Sequence, residues 1–334
     1  MTKIRWGIVG AARVNERLMP AIIESEIGEL IAIGSRRSGA AKECLLKYSP
    51  EYEDKVSCFD GLDQVINHER VDAIYIPLAN EEHTEIALKA IRAKKHVLIE
   101  KPMAIKSEEV KLLIKEAIKN DVKIMEGFMY AFHPQFDRIK NILKSNILGE
   151  INYAHSMFSF PIQPARFYRI NRTMKDGGGA LWDIGPYAIH TLRQCFLKNP
   201  LRVKAMAKIN EYGADISTTG LIDFGDFKRA TFDISFECTR RSEFEAFGPN
   251  GRIKCPTVWQ PEDKQAKIII NTESSGLTEE AVPAANHFVL EINHFNKVIS
   301  NGIFQKLSND DAYWNSRTLE CIQQSIQEDC WINL

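Results

Sequence analysis

Over roughly the first 130 residues, short apolar strands alternate with amphipathic helices, and this alternation narrows the fold more than any other feature of the chain. Residues 4–9 read as a strand and 14–25 as a helical pattern with Leu18, Ala21 and Ile22 on one side. Further strand patterns cover 30–34, 56–59, 73–76, 96–100 and 122–126, with helical patterns at 39–48, 82–93 and 107–120. In the last of these, Val110, Leu113, Ile114 and Ala117 point inward and charges point out. Strands and helices of these lengths in alternation predict parallel βαβ units, hence a doubly wound sheet that binds ligands beyond the carboxyl ends of its strands.

Those strand ends carry the informative residues. The first runs into Gly10-Ala11-Ala12-Arg13-Val14-Asn15, a degraded GxGxxG whose second and third glycines are Ala12 and Asn15. Its place between a strand and a helix favours a nucleotide site over a plain turn, because backbone N–H groups there can receive a pyrophosphate. After the second strand, where an NAD-preferring fold places a carboxylate, stand Ser35, Arg36 and Arg37. A hydroxyl and two guanidiniums suit a ribose 2′-phosphate, which predicts NADP(H), with NAD(H) as second choice. Pro77, Leu78, Asn80 and His83 follow the fourth strand, and Glu100-Lys101-Pro102 closes the fifth, with Pro102 a candidate for a cis peptide bond.

Beyond residue 149 the pattern changes to strands with few helices, at 151–160, 201–209, 218–224, 230–237, 243–247 and 267–271. Pro249-Asn250-Gly251 is a hairpin turn signal. These predict a mainly antiparallel open sheet with residues 182–196 on one face, and two helices (287–300 and 309–328) near the end. Gly177-Gly178-Gly179-Ala180-Leu181-Trp182-Asp183-Ile184-Gly185-Pro186-Tyr187 interrupts the strands. On one continuous helix Asp183 and Tyr187 share a face and form a candidate acid–base pair, whereas Pro186 should kink or restart that helix. Arg172 is a candidate for cofactor or substrate, with a solvated loop as the equal alternative. Trp182 is a candidate floor for sugar or nicotinamide, although a core role is the commoner use.

A chain of 334 residues with net charge −1 suits two domains and gives no electrostatic reason for a nucleic-acid or membrane partner. Seven cysteines occur singly, without metal-ligand or disulfide-framework spacing. The histidines show no metal spacing either, so no metal is assigned. The N-terminus lacks a signal peptide's apolar core, and no apolar run reaches the ~20 residues of a membrane span, so the expected location is cytoplasmic.

The Glu100-Lys101-Pro102 triplet, Asn80 with His83, the triple-glycine segment and Glu126-Gly127-Phe128-Met129-Tyr130 together resemble the glucose–fructose oxidoreductase/inositol dehydrogenase (Gfo/Idh/MocA) family. The resemblance covers essentially the whole chain. It implies an N-terminal Rossmann domain (1–130) and a C-terminal α+β domain for substrate and oligomerisation (131–334), with the last helices packing back towards the first. It also implies a nicotinamide-dependent dehydrogenase or reductase acting on a sugar, polyol or keto-sugar. Lys101 is then the residue at the substrate oxygen, Asp183 its support and Tyr187 the proton-transfer group. Tyrosine at that position is similar to the branch of dihydrodiol and NADP-xylose dehydrogenases and deoxysugar ketoreductases. The implied cofactor contacts are Gly10, Ala11, Ala12, Arg13, Val14, Ser35, Arg36, Arg37, Pro77, Leu78, Asn80, His83, Glu100, Lys101, Arg172 and Trp182. The expected assembly is a homodimer or homotetramer through an exposed apolar face of the C-terminal sheet. The competing reading is a non-catalytic dinucleotide sensor or transcriptional regulator, against which the joint presence of Lys101, Asp183 and Tyr187 argues.

Overall fold

The structure is a computed structural model that describes residues 3–261 and 265–334. Contacts divide the chain into two compact units: Met1–Met129 with Asn286–Tyr313, and Tyr130–Ala285 with Trp314–Leu334.

The first unit runs β1 (Ile4–Val9), α1 (Asn15–Glu24), β2 (Gly28–Gly34), α2 (Ala40–Tyr48), β3 (Ser57–Phe59), α3 (Asp63–Ile66), β4 (Ala73–Ile76), α4 (His83–Arg92), β5 (His96–Glu100), α5 (Ser107–Lys119) and β6 (Ile124–Gly127). Its six strands lie in the order β3-β2-β1-β4-β5-β6, all parallel, as the alternation requires. Ile74, Ile76, Val97, Ile99 and Ile124 are buried on the sheet, and Ile86, Val110 and Leu113 meet them from the helices. Two neighbouring side chains anchor the first half of strand β1. Arg5 grips Asp72 through Nε (2.8 Å), a terminal nitrogen (2.7 Å) and its backbone N–H (2.9 Å). The indole N–H of the fully buried Trp6 donates to Asn296 Oδ1 at 3.0 Å, and its ring tilts against Phe295.

The second unit contains α6 (Pro134–Lys144), β7 (Tyr153–Ser159), α7 (Ala180–Asp183), α8 (Gly185–Phe196), β8 (Arg202–Ile209), β9 (Asp215–Gly225), β10 (Lys228–Ser235), β11 (Arg241–Gly248), β12 (Gly251–Cys255), β13 (Ala266–Thr272) and β14 (Gly276–Val282). The chain then adds α9 (His287–Asn301) in the first unit, α10 (Asn309–Glu328), and the short β15 (Ile332–Asn333) in the second. The nine strands lie in the order β14-β13-β12-β11-β7-β10-β9-β8-β15, and every neighbouring pair is antiparallel except β7–β10. Pro249 and Asn250 form the two-residue turn between β11 and β12.

Helix α8 packs on β7 and β10. Under it lie Ala154, Ser156 and Phe158, while the alternate residues Tyr153, His155 and Met157 are half-buried on the other face. That outer face is not the continuous apolar surface expected from the strand patterns. It interleaves apolar residues with paired charges, Arg241 with Asp233 and Lys254 with Glu243 (3.0 Å) and Glu245 (2.9 Å), and Tyr153 bonds Thr231 across the strands.

Asn296 accepts from the buried indole of Trp6, so Asn296→Ala strands that N–H. The expected loss is about 1–3 kcal/mol, read from urea unfolding of the intact chain.

Candidate active site

At the carboxyl end of β1, Gly10 takes φ +136°, a value that favours glycine, and donates its N–H to Gly34 O at 2.8 Å. A Cβ there would stand 2.9 Å from Leu78 Cδ2, so the loop after β4 leans directly on this turn. Asn15, at the third fingerprint position, is fully buried and donates through Nδ2 to Gly10 O at 2.8 Å. What the sequence shows as a lost glycine is therefore a side-chain clamp on the same turn. The first helical hydrogen bonds run from Asn15 to Ala12 and Glu16 to Arg13. Among the described residues the N–H groups of Ala11 to Val14 take no carbonyl, which suits them to an anion at the start of α1.

Beside this turn, Ser35 is buried and Arg36 and Arg37 are exposed. Asp60, which sequence reasoning did not single out, accepts from Ser38 Oγ (2.6 Å) and the Gly39 N–H (2.9 Å) and so sets the shape of the loop after β2. These two hydrogen bonds hold its carboxyl below the usual range. Arg36 is ion-paired with Glu82.

His83 is fully buried between two strand ends, with Nδ1 2.8 Å from Pro102 O and Nε2 3.1 Å from Leu78 O. Burial lowers it to about 4, against the pull of both carbonyls, and the Lys101 charge adds to the fall. The ring is thus neutral and donates from one nitrogen. The Lys101–Pro102 peptide is cis. Around it, Glu100 accepts from the Tyr75 hydroxyl (2.6 Å) and Glu126 from the Met103 N–H (2.6 Å). The fully buried Glu291 of α9 is raised well above a normal carboxyl by burial and by the nearby Glu100 charge. Gly10, Leu78, His83 and Lys101 are accordingly gathered at one edge of the parallel sheet.

In the second unit, the triple glycine exists for close approach. A Cβ on Gly178 would lie 2.2 Å from Arg172 O, and one on Gly179 (φ +95°) 1.9 Å from Asp215 Oδ1. Asp215 is fully buried and accepts from the Leu181 N–H (2.9 Å) and Thr218 Oγ1 (2.7 Å), so its carboxylate sits at the start of α7. The helix restarts, as Pro186 requires, rather than running on continuously. It breaks at Ile184 (φ −114°, ψ −20°), and Pro186 occupies the first turn of α8, where its missing N–H costs nothing. Asp183 and Tyr187 therefore belong to successive helices.

Asp183 is largely buried and pairs with Arg169, whose guanidinium is raised further by that carboxylate against the effect of burial. Arg169 also accepts from Gly179 N–H at 2.8 Å through its carbonyl. Tyr187 is 7% exposed, with its ring against Tyr130 and Phe158. Its carbonyl accepts from Thr191 Oγ1 (2.9 Å), and Thr191 also meets Tyr130 (2.9 Å) and Trp259 Nε1 (2.8 Å). Trp182 is buried with its N–H on Gln323 Oε1 at 2.7 Å, and Arg172 is half-buried against Gly178.

Residues 4–128 match the model of an oxidoreductase family with an NAD-binding Rossmann fold, and residues 136–254 match the Gfo/Idh/MocA C-terminal domain. The chain belongs to the Gfo/Idh/MocA family. Among its relatives, an uncharacterized oxidoreductase of Rhizobium meliloti is 28% identical over 99% of each chain. The dTDP-3,4-didehydro-2,6-dideoxy-alpha-D-glucose 3-reductase of Actinomadura kijaniata is 26% identical, covering 97% of this chain and 96% of the relative. The solved structure of KijD10, a 3-ketoreductase from the same organism in complex with NADP and TDP-benzene, has a TM-score of 0.89 at 26% identity. It covers 97% of this chain and 98% of that one. As in other members of the Gfo/Idh/MocA family, the protein is an oxidoreductase, and the turn at Gly10 with its anion-facing amides fits a dinucleotide. Among the described residues no helix is long and apolar enough to cross a membrane.

Burial pushes Asp215 up to about 6, partly offset by its hydrogen bonds. Its unfolded counterpart titrates near 3.8, so between pH ~4 and ~6 the folded chain holds the extra proton. The contribution of Asp215 to stability therefore falls as pH rises through that window, by about 3 kcal/mol in all. Urea unfolding from pH 4 to 7, wild type minus Asp215→Asn, should show this fall, and a flat difference would contradict it.

Proposed function

We propose that this chain is an NADP(H)-dependent oxidoreductase that transfers a hydride to or from a CH–OH carbon of a sugar, keto-sugar or polyol. The carrying observation is the strand-end cluster of Lys101, His83 and Pro102 beside the dinucleotide turn. NADP dependence is supported by Ser35 and Arg36 at the end of β2, where a carboxylate would repel a 2′-phosphate. The A. kijaniata relatives, a keto-sugar reductase and an NADP complex, support the same substrate class.

The dinucleotide-binding part corresponds to residues 1–130, joined by α9 from the later chain, and the substrate-binding part to the remainder of 131–334. In this reading Ala11 to Val14 hold the pyrophosphate, Ser35, Arg36 and Arg37 the adenosine ribose and its phosphate, and Pro77, Leu78, Asn80 and Glu100 line the cofactor. His83 contributes by fixing the loops of Leu78 and Pro102. Arg172 and Trp182 frame the substrate end. NADPH supplies the hydride when bound. The Lys101 ammonium hydrogen-bonds the substrate oxygen and stabilises the negative charge that develops there. Tyr187 delivers the proton to that oxygen, or removes it in the oxidative direction. A free phenol titrates near ~10, so the reverse step needs a neighbouring ammonium to favour phenolate. Asp183 orients the Lys101 ammonium, and Arg169 holds the Asp183 carboxylate in an ion pair.

Homodimerisation through the outer face of the nine-stranded sheet completes the proposal. Light scattering at micromolar concentration should report at least a dimer, and a monomer there would remove it.

A panel of aldoses, polyols and keto-sugars assayed by nicotinamide absorbance should reveal the substrate. On it, Lys101→Ala and Tyr187→Phe should each lower kcat by roughly a hundredfold or more, with NADPH affinity little changed. Full turnover by Tyr187→Phe would hand the proton transfer to Lys101.

A further inference from the structure

The guanidinium of Arg36 has an anionic partner within the chain. It is ion-paired with Glu82, the residue just before α4, while 61% of the Arg36 side chain and 25% of the Glu82 side chain remain exposed. The strand order explains what this bond spans. Arg36 follows β2, Glu82 follows β4, and β1 lies between these two strands. A bond between the two loops therefore passes across the carboxyl end of β1, where the Gly10–Val14 turn receives the cofactor. The packing of Leu78 against Gly10 brings the loop after β4 into position for it.

We propose that Glu82 determines cofactor specificity: it is a competing anion that a 2′-phosphate must displace from Arg36, so the pair acts as a latch on the adenosine end of the groove. The inference rests on the NADP(H) reading above. The chemistry is an exchange of partners. A guanidinium binds carboxylate and phosphate through the same N–H donors, so one anion excludes the other. NADP(H) brings a dianion that replaces the carboxylate, whereas NAD(H) brings a hydroxyl and leaves Arg36 with Glu82. Other charges near Arg36 have partners of their own. Glu85, one turn along α4, pairs with Lys89 at 2.9 Å, and both feel the Arg36 charge. Just after β3, Asp60 is bound to Ser38 and Gly39. His83, adjacent to Glu82, is turned inward onto two carbonyls.

The test is direct titration of the intact chain with NADPH and with NADH, followed by cofactor fluorescence, and it needs no substrate. Glu82→Gln should tighten NADPH binding about two- to fivefold, the scale of a part-exposed ion pair, and leave NADH unchanged. Glu85→Gln should change neither. Arg36→Ala should weaken NADPH by about tenfold or more, and adding Glu82→Gln to it should bring no gain. Unchanged NADPH affinity in Glu82→Gln, a gain that persists without Arg36, or weakened NADH binding would each overturn the latch. Weakened NADH binding would make Glu82 a ribose ligand instead. Wild-type NADPH affinity in Arg36→Ala would instead remove the NADP(H) reading on which the latch depends.

Discussion

The six-stranded parallel sheet reverses its winding at β1, and the arrangement of the first unit follows from that reversal. Chain order runs outward from β1 through β2 to β3 on one side and through β4 and β5 to β6 on the other. Right-handed crossovers then place the helices of the two halves on opposite faces, which leaves a crevice beyond the carboxyl end of β1. The loops after β1, β2, β4 and β5 open at the same edge. The Gly10 turn, Arg36, Glu82, His83 and Lys101 owe their common location to it, although they are up to 91 positions apart in the chain.

Within that frame, buried polar side chains do the fine positioning. His83 lies between two strand ends, with the carbonyls of Leu78 and Pro102 in reach, and its single N–H donates to one of them. Asn15 closes the dinucleotide turn on Gly10 O, and Asn296 answers the indole of Trp6. In the second unit Asp215 has the same part, since the close approach of its carboxylate requires glycine at 179 and orients the helix that carries Asp183. Losing any one of these partners leaves a desolvated group with nothing to replace it, which is costlier than the bond itself is stabilising.

The Arg169–Asp183 pair changes how the acidic residue of the triple-glycine segment is understood. Arg169 holds the largely buried Asp183 side chain in an ion pair from within the same unit. Asp183 is therefore placed by Arg169 and can serve as a fixed acceptor. The break at Ile184 adds to this, because it frees Asp183 from the helical register of Tyr187 and lets each side chain be placed by its own contacts.

The sequence by itself determined the alternating parallel architecture, the antiparallel sheet that follows, the hairpin at Pro249-Asn250, and the strand ends where chemistry belongs. Those follow from local periodicity and turn chemistry, which neighbouring residues carry between them. It left β12, β14 and α6 unread, because their patterns are short or interrupted by charge, and their pairing comes from neighbours such as β11 and β13. Only the tertiary structure decided that Asn15 replaces a glycine by clamping Gly10, that Asp215 is why Gly179 lacks a side chain, that Arg169 answers Asp183, and that Glu82 holds Arg36. Each of these is a contact made by a polar side chain, at separations from five residues for Asn15 and Gly10 to 46 for Arg36 and Glu82. Hydrophobic periodicity says which face of an element is buried, but a polar group's partner is fixed by direction and distance, which exist only once the chain has folded.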